Sequence, residues 1–150
     1  MGLFESLRIS ASGLSAQRMR MDIVANNVAN LNTTRGVDGQ PYRRQSVTFR
    51  EQTGGSAFSD VLGLARGGGA DTPAGVEVAG VHADTSAPRK VHNPSHPDAD
   101  ENGDIFLPNI DMVTEMTDLV GANRAYQASV TVLNATKAIA QSAISIGRNG

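Results

Sequence analysis

Both ends of the chain carry apolar residues spaced three and four positions apart, a pattern that restricts the fold more than any other feature. In the first part of the chain, the pattern consists of Leu7, Leu14, Met21, Val24, Val28 and Leu31. In the last part, it consists of Met112, Met116, Leu119, Tyr126, Val130, Leu133 and Ile144. Such spacing places each set on one face of a helix. We therefore predict two long helices whose apolar seams pack together as a coiled-coil-like hairpin and against other subunits.

The middle of the chain predicts short β-strands. Residues 41–49 and 76–81 contain the aromatic and β-branched side chains that strands favour, and residues 105–106 form a third, very short apolar run. The dipeptide Asn102-Gly103 favours a tight hairpin turn before that run. We therefore expect an extended segment with hairpins between the two helices.

Glycines crowd residues 53–75, as in a mobile loop or a linker. The second helix should begin at Asn109, a residue that caps helix N-termini well. The predicted fold is mainly α with a β insertion. A helical assembly domain would comprise residues 1–34 and 109–150, and the extended insertion would comprise residues 35–108.

The side of the second helix opposite its seam lacks the charges of a solvated face. Between residues 125 and 147, the only charged side chain is that of Lys137. This outer face consists of Ala128, Thr131, Ala135, Ala138 and Ser142. An exposed alanine-rich helix, stable by propensity alone, is one interpretation. We favour a close-packed face within an assembly, and we expect residues before about Leu31 and after about Asn109 to be frayed in an isolated monomer.

The composition excludes several classes of function. Without cysteine, the chain has no disulfide, thiolate metal site or cysteine nucleophile. A net charge of −2 gives no case for nucleic-acid binding. An apolar share of 39% with only 4% aromatic residues argues against a large compact core, so apolar surface should be buried along helices or between subunits. The first residues lack the pattern of a cleavable signal peptide, and no apolar run is long enough for a membrane span.

Residues 98–105 match the first eight positions of a calcium-binding loop, with Gly103 at the sixth. Position twelve is Asn109, which lacks the bidentate carboxylate that closes such a site. Pro97 and Pro108 also prevent helices from flanking the loop directly. We therefore interpret the segment as an acidic hairpin, with a small calcium-binding module as the less favoured alternative.

No other group of residues predicts a metal site or a catalytic site. His92 and His96 lie four positions apart, but Pro94 prevents the helix that would bring both to one face. His82 stands alone, and no serine lies in a nucleophile elbow. We expect no cofactor, no small-molecule substrate and no enzymatic activity.

Several motifs resemble those of a known protein family. Residues 10–18 and the stretch after them resemble the N-terminal signature of bacterial flagellar rod and hook proteins. The signature residues of that stretch are Asn26, Asn27, Asn30, Asn32 and Thr33. A narrower resemblance, to the family of basal-body rod protein C, rests on residues 33–35, 39–44, 96–103 and 124–134. The glycine-rich residues 53–75 fall outside the resemblance.

The resemblance implies a structural subunit of the flagellar proximal rod, the drive shaft and export channel that transmits motor torque. It implies that the terminal helices pack into the inner tube of the rod and that the β insertion lies outside. The implied partners are copies of the same chain, other proximal rod proteins, the distal rod protein and the basal-body adaptor at the rod base. The chain would pass through the flagellar export apparatus without a cleavable signal peptide and act in the periplasm. The alternative within this class is another axial protein, of the distal rod or hook type.

Overall fold

The computed structural model describes residues 3–36, 38–53 and 73–148. In chain order, these residues form α1 (Leu3–Ala29), β1 (Gln45–Thr53), β2 (Pro73–Ala83), β3 (Arg89–His92), β4 (Asp104–Leu107) and α2 (Met112–Arg148). The predicted fold class, mainly α with a β insertion, is confirmed. Neither described helix combines the length and apolarity that crossing a bilayer requires.

The strands form two separate two-stranded sheets, one of β1 and β2 and the other of β3 and β4. β3 and β4 are antiparallel, with Arg89 opposite Leu107 and His92 opposite Asp104. β1 begins later than the predicted residue 41, while β2 and β4 include the runs predicted as strands. The sequence pattern does not predict β3, because Val91 is its one apolar residue and the other three are exposed. The glycine-rich segment predicted as a loop lies mostly outside the described residues.

α1 ends at Ala29 because Asn30 takes over the hydrogen bonding of the last turn. The backbone N–H of Asn30 donates to the carbonyl of Asn26 at 3.1 Å, and its side-chain N–H donates to the same carbonyl at 2.9 Å. The Thr33 hydroxyl then donates to the side-chain oxygen of Asn30 at 3.1 Å. The affinity of asparagine for nearby backbone groups thus ends the helix at Ala29, before Leu31, the last residue of the predicted seam.

α2 begins directly after Asp111, so the prediction of Asn109 as its N-cap is wrong. The Asp111 carboxylate accepts the backbone N–H of Val113 at 3.3 Å and that of Thr114 at 3.2 Å. The Thr114 hydroxyl also donates to it, at 2.6 Å, and these hydrogen bonds, the hydroxyl's first, hold the pKa of Asp111 below its usual value. Asn109 instead donates its side-chain N–H to the Ser86 hydroxyl at 3.1 Å.

The connection between β3 and β4 is longer than the predicted tight hairpin turn at Asn102-Gly103. It comprises residues 93–103. Gly103 has the positive φ, 76°, that the turn prediction requires, and its N–H donates to the carbonyl of Asp100 at 2.9 Å. The dipeptide therefore forms the last turn of a longer loop, in which Asp100 Oδ1 accepts the backbone N–H groups of Asn102 and Asp104.

The chain divides into two compact units. The first unit contains Met1–Arg18, Phe49–Ala79 and Arg124–Gly150, and the second contains Met19–Thr48 and Gly80–Asn123. Each unit includes helical and strand residues. The predicted division into a helical assembly domain and an outer insertion concerns the assembled rod and stays a prediction.

The buried apolar side chains of the described residues lie almost entirely in the second unit. They are Ile23, Val24, Ile105, Leu107, Ile110 and Ala122. In the first unit, the buried apolar residue among those described is Ala16. The second unit therefore has a small core of its own.

Candidate functional site

Six polar side chains meet in the second unit, and we call them the polar cluster. They are Arg20, Asn27, Tyr42, Arg44, Glu115 and Asp118. α1 supplies two of them, the segment leading into β1 supplies two, and α2 supplies two. The side chains of Asn27 and Glu115 are completely buried. Completely buried polar side chains are compatible with a stable fold only when each forms hydrogen bonds or an ion pair.

Asn27 lies at the centre of the polar cluster, and its amide has a partner on every side. Its Nδ2 donates to the backbone carbonyl of Gln45 at 2.8 Å and to Glu115 Oε2 at 3.0 Å. Its Oδ1 accepts the backbone N–H of Gln45 at 2.9 Å and the Tyr42 hydroxyl at 3.1 Å. Both donors and the acceptor of the amide are satisfied. The amide therefore fixes the start of β1 against the last turns of α1.

Glu115 is a buried carboxylate neutralised by an arginine. Its Oε1 accepts a hydrogen bond from Arg44 Nε at 2.6 Å, and its Oε2 accepts the one from Asn27. The backbone carbonyl of Arg44 in turn accepts the N–H of Asp84 at 2.7 Å. An isolated buried carboxylate would be strongly unfavourable, so Arg44 is required to keep this site stable.

A second carboxylate extends the polar cluster toward the surface. Asp118 Oδ1 accepts a hydrogen bond from an Arg20 terminal nitrogen at 3.0 Å, and Asp118 Oδ2 lies 3.7 Å from one of Arg44. Burial raises the pKa of the Tyr42 hydroxyl, and the negative charge of Glu115 raises it further. Tyr42 thus stays a hydrogen-bond donor to Asn27 at neutral pH.

The five signature residues have different surroundings. Asn27 is buried in the polar cluster, while Asn30 and Thr33 are half-buried in the turn that ends α1. Asn26 and Asn32 are exposed. The signature therefore combines one core residue, a helix-ending turn and two surface amides.

The inner face of α2 follows a regular alternation of three- and four-residue steps. Its buried and half-buried positions include Glu115, Leu119, Ala122, Tyr126, Ser129, Leu133, Thr136 and Ala140. The partners of Glu115 are those of the polar cluster. The Ser129 hydroxyl donates to the backbone carbonyl of Ala125 at 3.0 Å, and the Thr136 hydroxyl donates to that of Val132 at 2.9 Å. Asn123 and Lys137, which interrupt the seam predicted from sequence, are exposed beside this face.

The outer face of α2 lies in the first unit and is exposed at all five of its predicted positions, Ala128, Thr131, Ala135, Ala138 and Ser142. Beside them runs a row of large apolar side chains, which we call the apolar row. It consists of Val132, Ile139 and Ile146, which are 54%, 65% and 75% exposed. Alternating with Ala128, Ala135 and Ser142, the apolar row gives a second heptad pattern on the solvent side of the helix.

Comparison with known proteins assigns the chain to a family. Residues 7–35 match the family model of the flagella basal body rod protein, and residues 107–146 match that of the flagellar basal body rod FlgEFG protein C-terminal region. The chain is 43% identical over 152 residues to flagellar basal-body rod protein FlgC of Bacillus subtilis (strain 168), covering 99% of this chain and 100% of that protein. It belongs to the FlgC family of flagellar basal-body rod proteins.

Two further members of the FlgC family show the same full-length match. The protein of Borreliella burgdorferi is 39% identical, over 97% of this chain and 98% of its own length. The protein of Salmonella typhimurium is 37% identical, over 99% and 100%. The two segments that match family models contain the cluster residues of α1 and α2 and the outer face.

The residues predicted as packing seams fall into three groups in this FlgC family member. Val24 is buried. Half-buried are Leu7, Leu14, Met21, Val28, Leu31, Leu119, Tyr126, Val130 and Leu133. Exposed are Met112, Met116 and Ile144. The role of these residues in packing between subunits stays a prediction.

The aspartate carboxylates of the acidic loop of residues 98–104 bind other groups of the same chain. Asp98 Oδ2 accepts the Thr34 hydroxyl at 2.7 Å, and Asp100 Oδ1 accepts the backbone N–H of Asp104 at 2.8 Å. Asp104 itself contacts Lys90 Nζ at 2.6 Å and His92 Nδ1 at 3.0 Å. Across residues 3–36, 38–53 and 73–148, no group of three or more metal-ligating side chains is arranged to hold an ion.

Sequence reasoning misses most of the polar cluster. The sequence predicts none of the contacts that Glu115 and Asp118 make with Arg20 and Arg44. One usable signal is the position of Glu115, four residues before Leu119 and therefore on the inner face of α2. An acidic residue at such a position indicates a cation elsewhere in the chain that pairs with it.

Proposed function

We propose that this FlgC family member is a structural subunit of the proximal rod of the bacterial flagellar basal body, and that it assembles through its terminal helices. The relatives that it matches over nearly their full length are named flagellar basal-body rod proteins. The observation that carries the proposal is the outer face of α2, which has no charged residue and is accompanied by the apolar row.

The outer face and the apolar row are unsuited to permanent exposure. Fully burying a valine or isoleucine side chain contributes about 1.5–3 kcal/mol. The isolated chain forgoes more than half of this at each position of the apolar row, in proportion to its exposure. The alanine and serine positions between them permit close approach of a neighbouring helix. A surface with both properties supports packing against helices of other subunits.

We extend the proposal to partners and location. The neighbours are copies of the same chain, other proximal rod proteins, the distal rod protein and the basal-body adaptor at the rod base. The chain passes through the flagellar export apparatus without a cleavable signal peptide and acts in the periplasm. There it forms part of the drive shaft and export channel that transmits torque.

The alternative functions have less support. A distal rod or hook subunit is disfavoured because the full-length relatives are named FlgC. A calcium-binding module is disfavoured because Asp98, Asp100 and Asp104 already bind groups of the chain itself.

The test introduces a charge into the outer face without changing the folded subunit. Ala135→Glu or Ala138→Glu should alter the free energy of unfolding of the isolated chain by no more than about 0.5 kcal/mol, because both positions are exposed. In an assembled rod, each substitution adds volume and charge where a neighbour packs, at about 1–3 kcal/mol per subunit from overpacking alone. We expect exported protein, incomplete rods in electron micrographs of basal bodies, and non-motile cells.

The matched control is Ser95→Glu, an exposed serine in the loop between β3 and β4. Ser86 is unsuitable because its hydroxyl donates to Asp84 and accepts from Asn109. Cells carrying Ser95→Glu should swim normally. Full motility with Ala135→Glu and Ala138→Glu combined would refute the proposal.

A further inference from the structure

We propose that the polar cluster is a clasp that keeps residues 19–29 of α1 and 112–123 of α2 folded in the free subunit, before any neighbour is present. The remaining helical residues, 3–18 and 124–148, become stably helical only when other subunits cover them. The boundary between the two behaviours would lie near Arg18 and Arg124. The sequence pattern alone places it near Leu31 and Asn109.

The first support is the distribution of buried side chains. Apart from Ala16, every buried residue among those described belongs to the second unit. The buried polar residues Asn27, Asp104 and Glu115 lie there too. A stretch of helix gains most of its stability from tertiary packing, and residues 19–29 and 112–123 have that packing within the chain.

The second support is the direction of the hydrogen bonds. Asn27 ties α1 to the backbone of Gln45, and Glu115 ties α2 to Arg44 and to Asn27. Arg20 and Asp118 add an ion pair between the two helices within the same unit. The clasp therefore joins both helix segments to the start of β1 and requires no other chain.

The third support is what residues 124–148 lack. Of their described side chains none is buried, and Val132, Ile139 and Ile146 are more than half exposed. Among the described side chains of residues 3–18, that of Ala16 is the buried one. Nothing comparable to the polar cluster is found among the described residues of the first unit.

The test is segment-resolved amide hydrogen exchange on the full chain, at a concentration where sedimentation shows a monomer. We expect amides in residues 19–29 and 112–123 to exchange at least about 100-fold more slowly than those in residues 3–18 and 124–148. Uniform exchange along each helix, whether fast or slow, would overturn the proposal.

Two variants distinguish a clasp from ordinary packing. Arg44→Met removes the cation from Glu115 and should raise exchange in both clasped segments at least about tenfold. The matched control is Arg43→Met, the exposed neighbour whose described side-chain partner is Gln40 at 3.4 Å, and it should leave exchange unchanged. Equal effects of the two substitutions would contradict the clasp.

If Arg44→Met unfolds the whole chain, Glu115→Gln provides the milder test. It keeps the shape but removes the charge and replaces one accepting oxygen by a donor, so the hydrogen bond from either Arg44 or Asn27 is lost. Exchange should therefore rise in residues 19–29 and 112–123 and stay unchanged in residues 3–18 and 124–148. Unchanged exchange everywhere would argue against the clasp. These measurements on the isolated chain do not depend on rod assembly, so the clasp and the proposed rod function can fail separately.

Discussion

The side-chain amide of Asn27 pairs with the backbone of Gln45 as one peptide group pairs with another in a β-sheet. It donates to the carbonyl at 2.8 Å and accepts the N–H at 2.9 Å. One asparagine thereby satisfies both backbone groups of a strand residue that has no neighbouring strand on that side. This relationship makes Asn27, among the signature asparagines, the one with the largest expected contribution to stability.

Replacing Asn27 by leucine tests that contribution, because leucine has a similar size and no polar group. The substitution leaves both backbone groups of Gln45, the Tyr42 hydroxyl and Glu115 Oε2 without the hydrogen bonds that Asn27 makes to them. Each buried polar group left unpaired costs about 1–3 kcal/mol, so the free energy of unfolding should fall by at least about 2 kcal/mol. Urea denaturation followed by circular dichroism measures it.

The control for that experiment is Asn26→Ala, one position earlier on the exposed side of α1. Its effect should stay within about 0.5 kcal/mol. If the two substitutions destabilised the chain equally, the pairing of Asn27 with Gln45 would not be the source of the stability.

The helices are predictable from sequence because the spacing that defines them is local. The outer face is predictable from the same helical spacing, because the spacing shows which residues lie opposite the seam and that none of them is charged. The inner face of α2 is less predictable. Its small members, such as Ala122 and Ser129, carry no strong apolar signal, so the pattern selects the larger Met112 and Met116 as seam residues, although both are exposed in the folded chain.

The polar cluster is not predictable, because its partners are far apart in the chain. Asn27 and Glu115 are separated by 88 positions, and Arg44 and Glu115 by 71. No periodicity links such residues. Helical spacing places Asn27, three positions after Val24 and four before Leu31, beside the predicted seam, but it does not identify the partners that its amide requires.

Gly75 should tolerate no side chain. Its φ is 123°, and a Cβ there would overlap Ser12 Oγ and lie 3.1 Å from Ser12 Cβ. Ser12 Oγ is held in place because it accepts the N–H of Val76 at 3.0 Å. We expect Gly75→Ala to lower the free energy of unfolding by about 1–3 kcal/mol through the positive φ. The overlap with Ser12 adds to that loss only where residues 3–18 are helical.

Gly39→Ala separates those two contributions. Gly39 also has a positive φ, 71°, but a Cβ added there would meet nothing within 4 Å. Alanine there should cost about 1–2 kcal/mol, from backbone strain alone. Equal losses at Gly39 and Gly75 in urea denaturation of the free chain would show that the overlap with Ser12 contributes nothing there.

The acidic loop should not bind calcium, so titration of the chain with calcium should release or absorb no saturable heat. Asp100 Oδ1 accepts the backbone N–H groups of Asn102 and Asp104, at 2.9 and 2.8 Å. A calcium ion would have to displace these bonds and the Lys90 contact of Asp104. Isothermal titration calorimetry of the full chain measures this, and one-site binding would restore the calcium-module interpretation.

Variants at Asp100 test the same loop without metal. Asp100→Asn retains the oxygen that accepts both N–H groups and should be nearly neutral. Asp100→Ala removes it and should lower the free energy of unfolding by about 1 kcal/mol, the net contribution of a typical hydrogen bond. Similar effects of the two variants would show that this carboxylate does not hold the loop.

Asp104 should make the stability of the chain sensitive to acid. The Lys90 ammonium, which donates a hydrogen bond to the carboxylate, holds the pKa of Asp104 below its ordinary value of 3.8, and His92 adds to the effect. The folded chain therefore takes up a proton at this carboxylate less readily than the unfolded chain. The stabilisation is fully present above a pH of about 4 and is lost as the pH falls through the lower, folded-state pKa.

Asp104→Asn should therefore flatten the dependence of the free energy of unfolding on pH below about 4, as measured by urea denaturation at a series of pH values. Part of the slope should remain, because hydrogen bonds from Ser86 and Thr114 also lower the pKa values of Asp84 and Asp111. Glu101→Gln, on the exposed side of the same loop, is the control and should leave the slope as it is in the parent chain. If the Asp104→Asn and parent curves ran parallel down to the acid transition, the ion pair with Lys90 would contribute nothing to the acid sensitivity of the fold.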